Sequence, residues 1–268
     1  MKISIITVCR NSVGTIADAL ASVAKQQTQV KVEGVGVEEV EVEHIVVDGE
    51  SSDGTVEEVK RNSEKVKSKE RFTFKWVSAK DRGMYDALNK GIKMATGDVI
   101  GILNADDVIA EDDTLAKVAE AFEDPDIDGT YADIRFVKEL GEPTVRYCSG
   151  KWFGSWMFRF GTQTAHPSTF FRKECFAKWG DYSLDYGMYG DFELLCRFIW
   201  KNKARMKYLP LCTTVMRLGG ASTKGLKSTL EINRTDMRAL KANGCWSCYA
   251  MLYSRYIFKI WGFLKKTK

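Results

Sequence analysis

Between residues 3 and 134, short apolar runs alternate with stretches of helical periodicity, and this alternation restricts the chain to few folds. The first run covers 3–8. A stretch from about 13 to 26 follows, with Ile16, Ala19, Leu20 and Val23 at helical spacing. Further runs stand at 44–47, 72–77 and 99–103, and Tyr131-Ala132-Asp133-Ile134 opens another. The segments between them, about 56–67, 83–95 and 112–122, read as helices. Strands alternating with helices imply βαβ units and a mostly parallel sheet. The expected fold class is α/β, with a Rossmann-like central sheet flanked by helices.

In open parallel sheets, ligands bind beyond the carboxyl ends of the strands. Three runs end there in polar clusters: Thr7-Val8-Cys9-Arg10-Asn11, Asp48 with the turn after it, and Asn104-Ala105-Asp106-Asp107. Adjacent carboxylates after a buried run are costly unless a cation or strong donors meet them. A divalent metal carrying a nucleotide diphosphate would do so, since hard cations take oxygen ligands. In the alternative reading Asp107 caps the next helix and Asp106 is solvated. Asp48 on the same edge favours the ligand reading. No Gly-x-Gly-x-x-Gly or Gly-Lys-Ser/Thr loop is present, so a nucleotide would be held through metal and side chains.

The net charge of +4 comes without a basic block, which excludes nucleic acid as the expected partner. The N-terminus lacks the pattern of a signal peptide, and seven irregularly spaced cysteines point to reduced thiols and a cytoplasmic protein. Cys245 and Cys248 form a lone Cys-x-x-Cys with no second pair for zinc. Residues 29–43 alternate Val with Glu, Lys and Gly, as a ragged strand extension or an exposed hairpin.

The ordered segments Ile5-Ile6-Thr7-Val8-Cys9-Arg10-Asn11, Val46-Val47-Asp48-Gly49-Glu50-Ser51-Ser52-Asp53-Gly54-Thr55, Asp81-Arg82-Gly83-Met84-Tyr85-Asp86-Ala87-Leu88-Asn89-Lys90-Gly91, Leu103-Asn104-Ala105-Asp106-Asp107, His166-Pro167-Ser168-Thr169-Phe170-Phe171 and Gly190-Asp191-Phe192-Glu193-Leu194 resemble a family 2 glycosyltransferase of the GT-A fold. The resemblance covers about residues 2–223, and is strongest to the branch that builds bacterial surface polysaccharide. It implies a catalytic domain over 1–223, with a nucleotide-binding half at 1–110 and an acceptor-binding half at 111–223. It further implies an inverting transfer from a nucleotide-sugar donor, UDP favoured, to a glycan or lipid-linked glycan acceptor. Asp191 is then the catalytic base, with Glu193 as fallback; a helix N-cap is the alternative role for Asp191. Asp106 is the metal ligand for Mg²⁺ or Mn²⁺, and Asn104 stands where an acid is usual. Thr7, Asn11, Asp48, Asp81, Gly83, Asn89, Asn104 and Asp107 are donor-binding positions, with Asp48 on the nucleoside base. Tyr85, Asp86 and Asn89 share a helix face near the donor, with core packing the alternative for Tyr85. His166 lines the acceptor side, and Pro167 stands where the family usually has Gln. The loop 219–223, with Arg217 and Lys224, folds over the diphosphate or is an ordinary surface loop.

Residues 224–268 read as a helical extension rich in aromatic and basic residues. Arg255 and Lys259 interrupt its apolar part, which argues against a membrane span. Two readings stay open: an interfacial helix with Arg255, Lys259 and Lys266 toward lipid, at the inner face of the cell membrane, or a helix packed on the catalytic domain or on a second copy in a homodimer. A metal-dependent nucleotidyltransferase and a catalytically impaired sugar-binding relative are the competing function classes.

Overall fold

The computed structural model describes the backbone of residues 1–32, 36–219 and 225–264, and the side chains of 1–28, 39–219 and 228–256. The strands are β1 (Lys2–Cys9), β2 (Gln29–Val32), β3 (Gly36–Glu39), β4 (Glu41–Asp48), β5 (Phe72–Ser78), β6 (Val99–Ile102), β7 (Val108–Ile109), β8 (Gly129–Val137), β9 (Arg146–Cys148), β10 (Thr169–Arg172) and β11 (Met206–Arg217). The helices are α1 (Ile16–Ala24), α2 (Thr55–Val66), α3 (Met84–Met94), α4 (Thr114–Ala121), α5 (Lys173–Trp179), α6 (Gly190–Leu195), α7 (Gly225–Ala242) and α8 (Tyr249–Leu264).

The main sheet runs β5-β4-β1-β6-β10-β8-β11-β7, with β9 paired to β8. β5, β4, β1 and β6 are parallel, as the apolar runs imply, because strands buried on both faces carry near-continuous hydrophobic residues. β10 is antiparallel to both its neighbours, so the second half of the sheet is mixed. Alternate residues of β1 feed opposite layers. Ile6 packs with Tyr85, Leu88 and Ile92 of α3, whereas Ile3 and Ile5 face Ala19, Val23 and Leu115. Strands β2 and β3 pair antiparallel apart from the main sheet, and β4 begins at Glu41, earlier than expected.

The extension packs against the rest of the chain. Arg255, expected on a lipid-facing basic stripe, is buried instead. Its Nη1 meets the buried Asp236 carboxylate at 2.7 Å and donates to the Gly161 carbonyl at 2.6 Å, while Nη2 donates to Asn233 Oδ1 at 2.8 Å. Leu252, one turn earlier, is fully buried. Lys259 and Lys266 lie outside the described side chains. We expect Arg255→Met to lower unfolding free energy by about 3 kcal/mol, because it removes the cation from a buried carboxylate. Urea denaturation checks this, and adding Asp236→Asn should recover part of the loss. Among the described residues no helix is long and apolar enough to cross a membrane.

Candidate active site

Strand pairing gathers the predicted polar clusters on one sheet edge. Cys9 at the end of β1 is level with Asp48 at the end of β4, and the Leu103 amide donates to the Ile6 carbonyl on the other side of β1. The turn after β4 is built around Asp48. Its carboxylate accepts from the Ser51 amide at 3.0 Å, Ser78 Oγ at 2.6 Å, Ser51 Oγ and, at 3.6 Å, Cys9 Sγ. A carboxylate has about four acceptor positions. Asp48 is fully buried with all of them used, so it organises the loop and offers no free oxygen to a nucleoside. Thr7, expected at the donor, also lies in the interior. It is fully buried, with Oγ1 3.0 Å from His44 Nε2, and so has no surface toward a donor.

Asn11 and Asp81 do reach this corner. Asn11 adopts φ +51°, and its Oδ1 accepts from the Ser52 amide at 2.9 Å, tying the ends of β1 and β4 together. Asp81 is half-buried, and its Oδ1 accepts from the Gly83 amide at 2.8 Å. A Cβ on Gly49 would fall 2.4 Å from Asp81 Oδ2, so the glycine admits this carboxylate to the turn of β4. Gly83 has φ +119°, a backbone angle suited to glycine, and starts α3.

The acidic segment after β6 places its two carboxylates in different surroundings. Asp107 is buried and accepts from Asn104 Nδ2 at 2.8 Å. Burial, with the neighbouring Asp106 charge, pushes its pKa up to about 7. An acid at position 104 would add a third carboxylate against this buried one, whereas Asn104 donates to it and keeps Oδ1 as a neutral oxygen. Asp106 is half-buried, and among the described residues its carboxylate takes no hydrogen bond or ion pair. Its carbonyl accepts from Arg217 Nη1 at 2.8 Å. Neither residue caps a helix: β7 intervenes, and α4 starts at Thr114 behind Asp113. No cluster of three or more His, Cys, Asp or Glu side chains gathers among the described residues. The donor set here, one open carboxylate with a neutral amide oxygen nearby, fits a hard cation that takes its remaining ligands from a diphosphate and water.

Asp191 stands in the first turn of α6, after Gly190, and is not its N-cap. Its Oδ1 accepts from Tyr85 Oη at 3.2 Å and its Oδ2 from Gln163 Nε2 at 2.8 Å. The Asp191 amide donates to Tyr85 Oη at 3.1 Å. A Cβ at position 190 would approach the Tyr85 ring to 3.0 Å, so glycine there lets the ring reach the carboxylate. Tyr85 stacks on Tyr182 at 5.2 Å between centroids, and Tyr182 Oη meets His166 Nε2. Burial first, and then the Asp191 charge, push both tyrosine pKa values up and keep the phenols neutral. Burial lowers the His166 pKa against the opposing pull of Asp191, leaving the ring neutral at neutral pH. His166 therefore joins the surroundings of Asp191 through Tyr182.

Two further expectations change here. Asn89 is not open to a donor: its amide clamps the Tyr182 backbone, donating to the carbonyl at 2.8 Å and accepting from the amide at 2.9 Å. Glu193 is no alternative base. It is buried, ion-paired with Arg197 at 3.0 Å, and accepts from Asn243, just after α7, at 3.3 Å. Arg197 also donates to the carbonyls of Gly180 and Asp181, fixing the loop that carries Tyr182. Asp86 turns away from Asp191 to Arg82 and Lys90.

The family model described as glycosyl transferase family 2 matches residues 4–177, which include both the β1–β4 corner and the acidic segment. The chain belongs to glycosyl transferase family 2. An uncharacterized glycosyltransferase of Mycobacterium tuberculosis is 29% identical over 196 residues, 73% of this chain and 68% of the relative. A PGL/p-HBAD biosynthesis glycosyltransferase of Mycobacterium bovis is 32% identical over 121 residues, 44% of each chain. Among solved structures, S. aureus TarS superposes with a TM-score of 0.64 at 20% identity, over 90% of this chain and 40% of TarS. The mannosyltransferase PcManGT from Pyrobaculum calidifontis, solved with GDP-Man and Mn²⁺, gives 0.60 at 18% identity, over 98% of this chain and 81% of its own. The chain thus spans less than half of TarS and of the PGL/p-HBAD enzyme. These likenesses show the GT-A fold: a mixed, curled sheet flanked by helices.

In this glycosyltransferase, two residues around Asp191, Gln163 and Tyr182, stand outside the segments that carry the family resemblance. Gln163 supplies its side-chain amide to Asp191 from three positions before His166. Tyr182 carries no motif of its own. Arg217, expected beside the late loop, reaches the Asp106 carbonyl and Asp18. Of that loop, residues 220–224 lie outside the described ones.

Proposed function

We propose that this glycosyltransferase moves a sugar from a UDP-sugar to a hydroxyl of a glycan or lipid-linked glycan, with inversion, in the assembly of cell-surface polysaccharide. The observation that carries the reading is the Asp191 carboxylate, aimed by Tyr85 and Gln163 and reached along one continuous path from the donor corner: Gly49, Asp81, Gly83, α3, Tyr85. Asp191 takes the proton of the acceptor hydroxyl as the oxygen attacks the anomeric carbon. Attack from the side opposite the diphosphate inverts that carbon. Asp81 and Asn11 hold the nucleoside end. Asp106, with Asn104 Oδ1, would hold a divalent cation on the diphosphate; when bound, such an ion neutralises charge on the leaving group. Arg217 braces the Asp106 carbonyl so that its carboxylate keeps its aim.

Support comes from neighbours solved with UDP-GlcNAc, as for TarS, and with GDP-Man and Mn²⁺, as for PcManGT. The test is a thermal-shift panel of nucleotide sugars with and without Mn²⁺. A donor at a hundred times its Kd stabilises by roughly 2.7 kcal/mol. That stabilisation should require Mn²⁺ and should need about 10–100-fold more of it in Asp106→Ala. A donor shift indifferent to both Mn²⁺ and Asp106 would overturn the metal assignment.

A further inference from the structure

Three separate segments of the chain, 143–173, 194–230 and 237–268, contain none of its 36 Asp and Glu residues, while Lys and Arg recur through all three. The fold brings parts of these segments together. The six-residue 3₁₀ turn Ser155–Phe160 packs against α8, and Ser247 Oγ donates to the Arg159 carbonyl. The Arg159 guanidinium lies 5.7 Å from the ring centres of both Trp200 and Trp246. Lys203 sits 4.6 Å from the Trp200 ring, and Lys151 sits 5.4 Å from Trp152. Among the described residues Arg159 has no carboxylate partner, and its Nε is buried without a hydrogen bond. Large aromatics of the same acid-free segments are exposed: Trp152 is 82% exposed, Trp246 66% and Trp156 58%.

We propose that this surface docks on a bilayer carrying anionic phospholipid head groups. Indole rings favour the water–lipid boundary, where the apolar body is buried and the N–H stays wet. The cations face the negative surface potential of such a leaflet, which attracts basic side chains lying near it. With no acidic residue in the contributing segments, nothing within them opposes that attraction. The face differs from the Arg255 stripe read from the sequence, because Arg255 is buried in an ion pair. Base stacking could also use exposed indoles, but the net charge of +4 leaves little for a long phosphate backbone.

The docking goes beyond the transfer reaction and is scored without donor or acceptor, so its failure leaves the role of Asp191 untouched. The experiment is flotation of the full chain with phosphatidylcholine vesicles, with and without phosphatidylglycerol. We expect binding only to the anionic vesicles, with a blue shift of tryptophan emission. Lys151→Glu with Lys203→Glu should weaken binding by about tenfold or more. Trp152→Ser with Trp246→Ser should abolish the blue shift, and these exposed positions leave folding, checked by circular dichroism, intact. Equal binding to both vesicle types, or binding unchanged in both double variants, overturns the proposal. So does binding of single-stranded DNA but not vesicles through the same residues, which would reassign the surface to nucleic acid.

Discussion

Asp191→Asn should lower the rate of sugar transfer by about 10²–10⁴-fold while leaving donor affinity within a factor of two or three. The magnitude is that of removing a positioned general base. The substitution is close to isosteric, and the site can absorb it. The new amide oxygen can still accept from Gln163 Nε2, and the new NH₂ can donate to Tyr85 Oη. The backbone bond from residue 191 to Tyr85 Oη is unaffected. What disappears is the capacity to take a proton. Single-turnover transfer, with donor Kd measured separately, divides the two effects. Unchanged turnover would remove Asp191 as base, and Glu193 could not replace it while paired with Arg197. A loss of donor binding equal to the loss of rate would instead make Asp191 a donor contact.

The parallel half of the fold was legible because its signal is local. β1, β4 and β6 are rich in apolar residues and buried along nearly their whole length, while β5, at the sheet edge, is only partly covered. The mixed half was not. β10 spans only Thr169–Arg172 and runs antiparallel through partners far away in sequence, an arrangement no local periodicity records. At the site, residue type and order pointed to the correct edge, but occupancy could not be read from them. Asp48, Thr7 and Asn89 have the side chains of ligand-binding residues, and each is consumed by a neighbour 30 to 93 positions away: Ser78, His44 and Tyr182. Asp106 escapes that fate because its partner Asn104 is spent on Asp107 instead. In the same way a chain of helical periodicity cannot tell whether Arg255 meets lipid or the carboxylate of Asp236.

Acidification should remove stability through His44 above the range in which the ordinary carboxylates titrate, against an opposite contribution from Asp107, whose raised pKa of about 7 lets the folded chain take that proton first. The ring, carried by β4, is fully buried, edge-on to Phe74 at 5.5 Å, with Nε2 on Thr7 and, among the described residues, no hydrogen bond at Nδ1. Burial pushes its pKa down from 6.5 to about 3. The unfolded chain therefore takes a proton near pH 6.5 that the native ring refuses until about pH 3. Stability owed to this difference is fully present above pH 6.5 and is lost as pH falls through the window, at most about 1.4 kcal/mol per pH unit and on the order of 5 kcal/mol in all. Glu43, the adjacent residue, acts lower. Burial opposes its ionisation, but bonds from Lys75, Ser4 and Thr96 outweigh that and bring its pKa to about 2, so its contribution is lost only between about 4.5 and 2. The two windows are separable. His44→Gln keeps a donor and an acceptor for Thr7 but cannot titrate, so the gap between its urea midpoint and that of the parent chain should widen as pH falls from 6.5 to 4.5, over an Asp107 contribution common to both. Parallel pH profiles for the two proteins would show that the buried ring is not the sensor and would shift the acid sensitivity to Glu43 and its lysine.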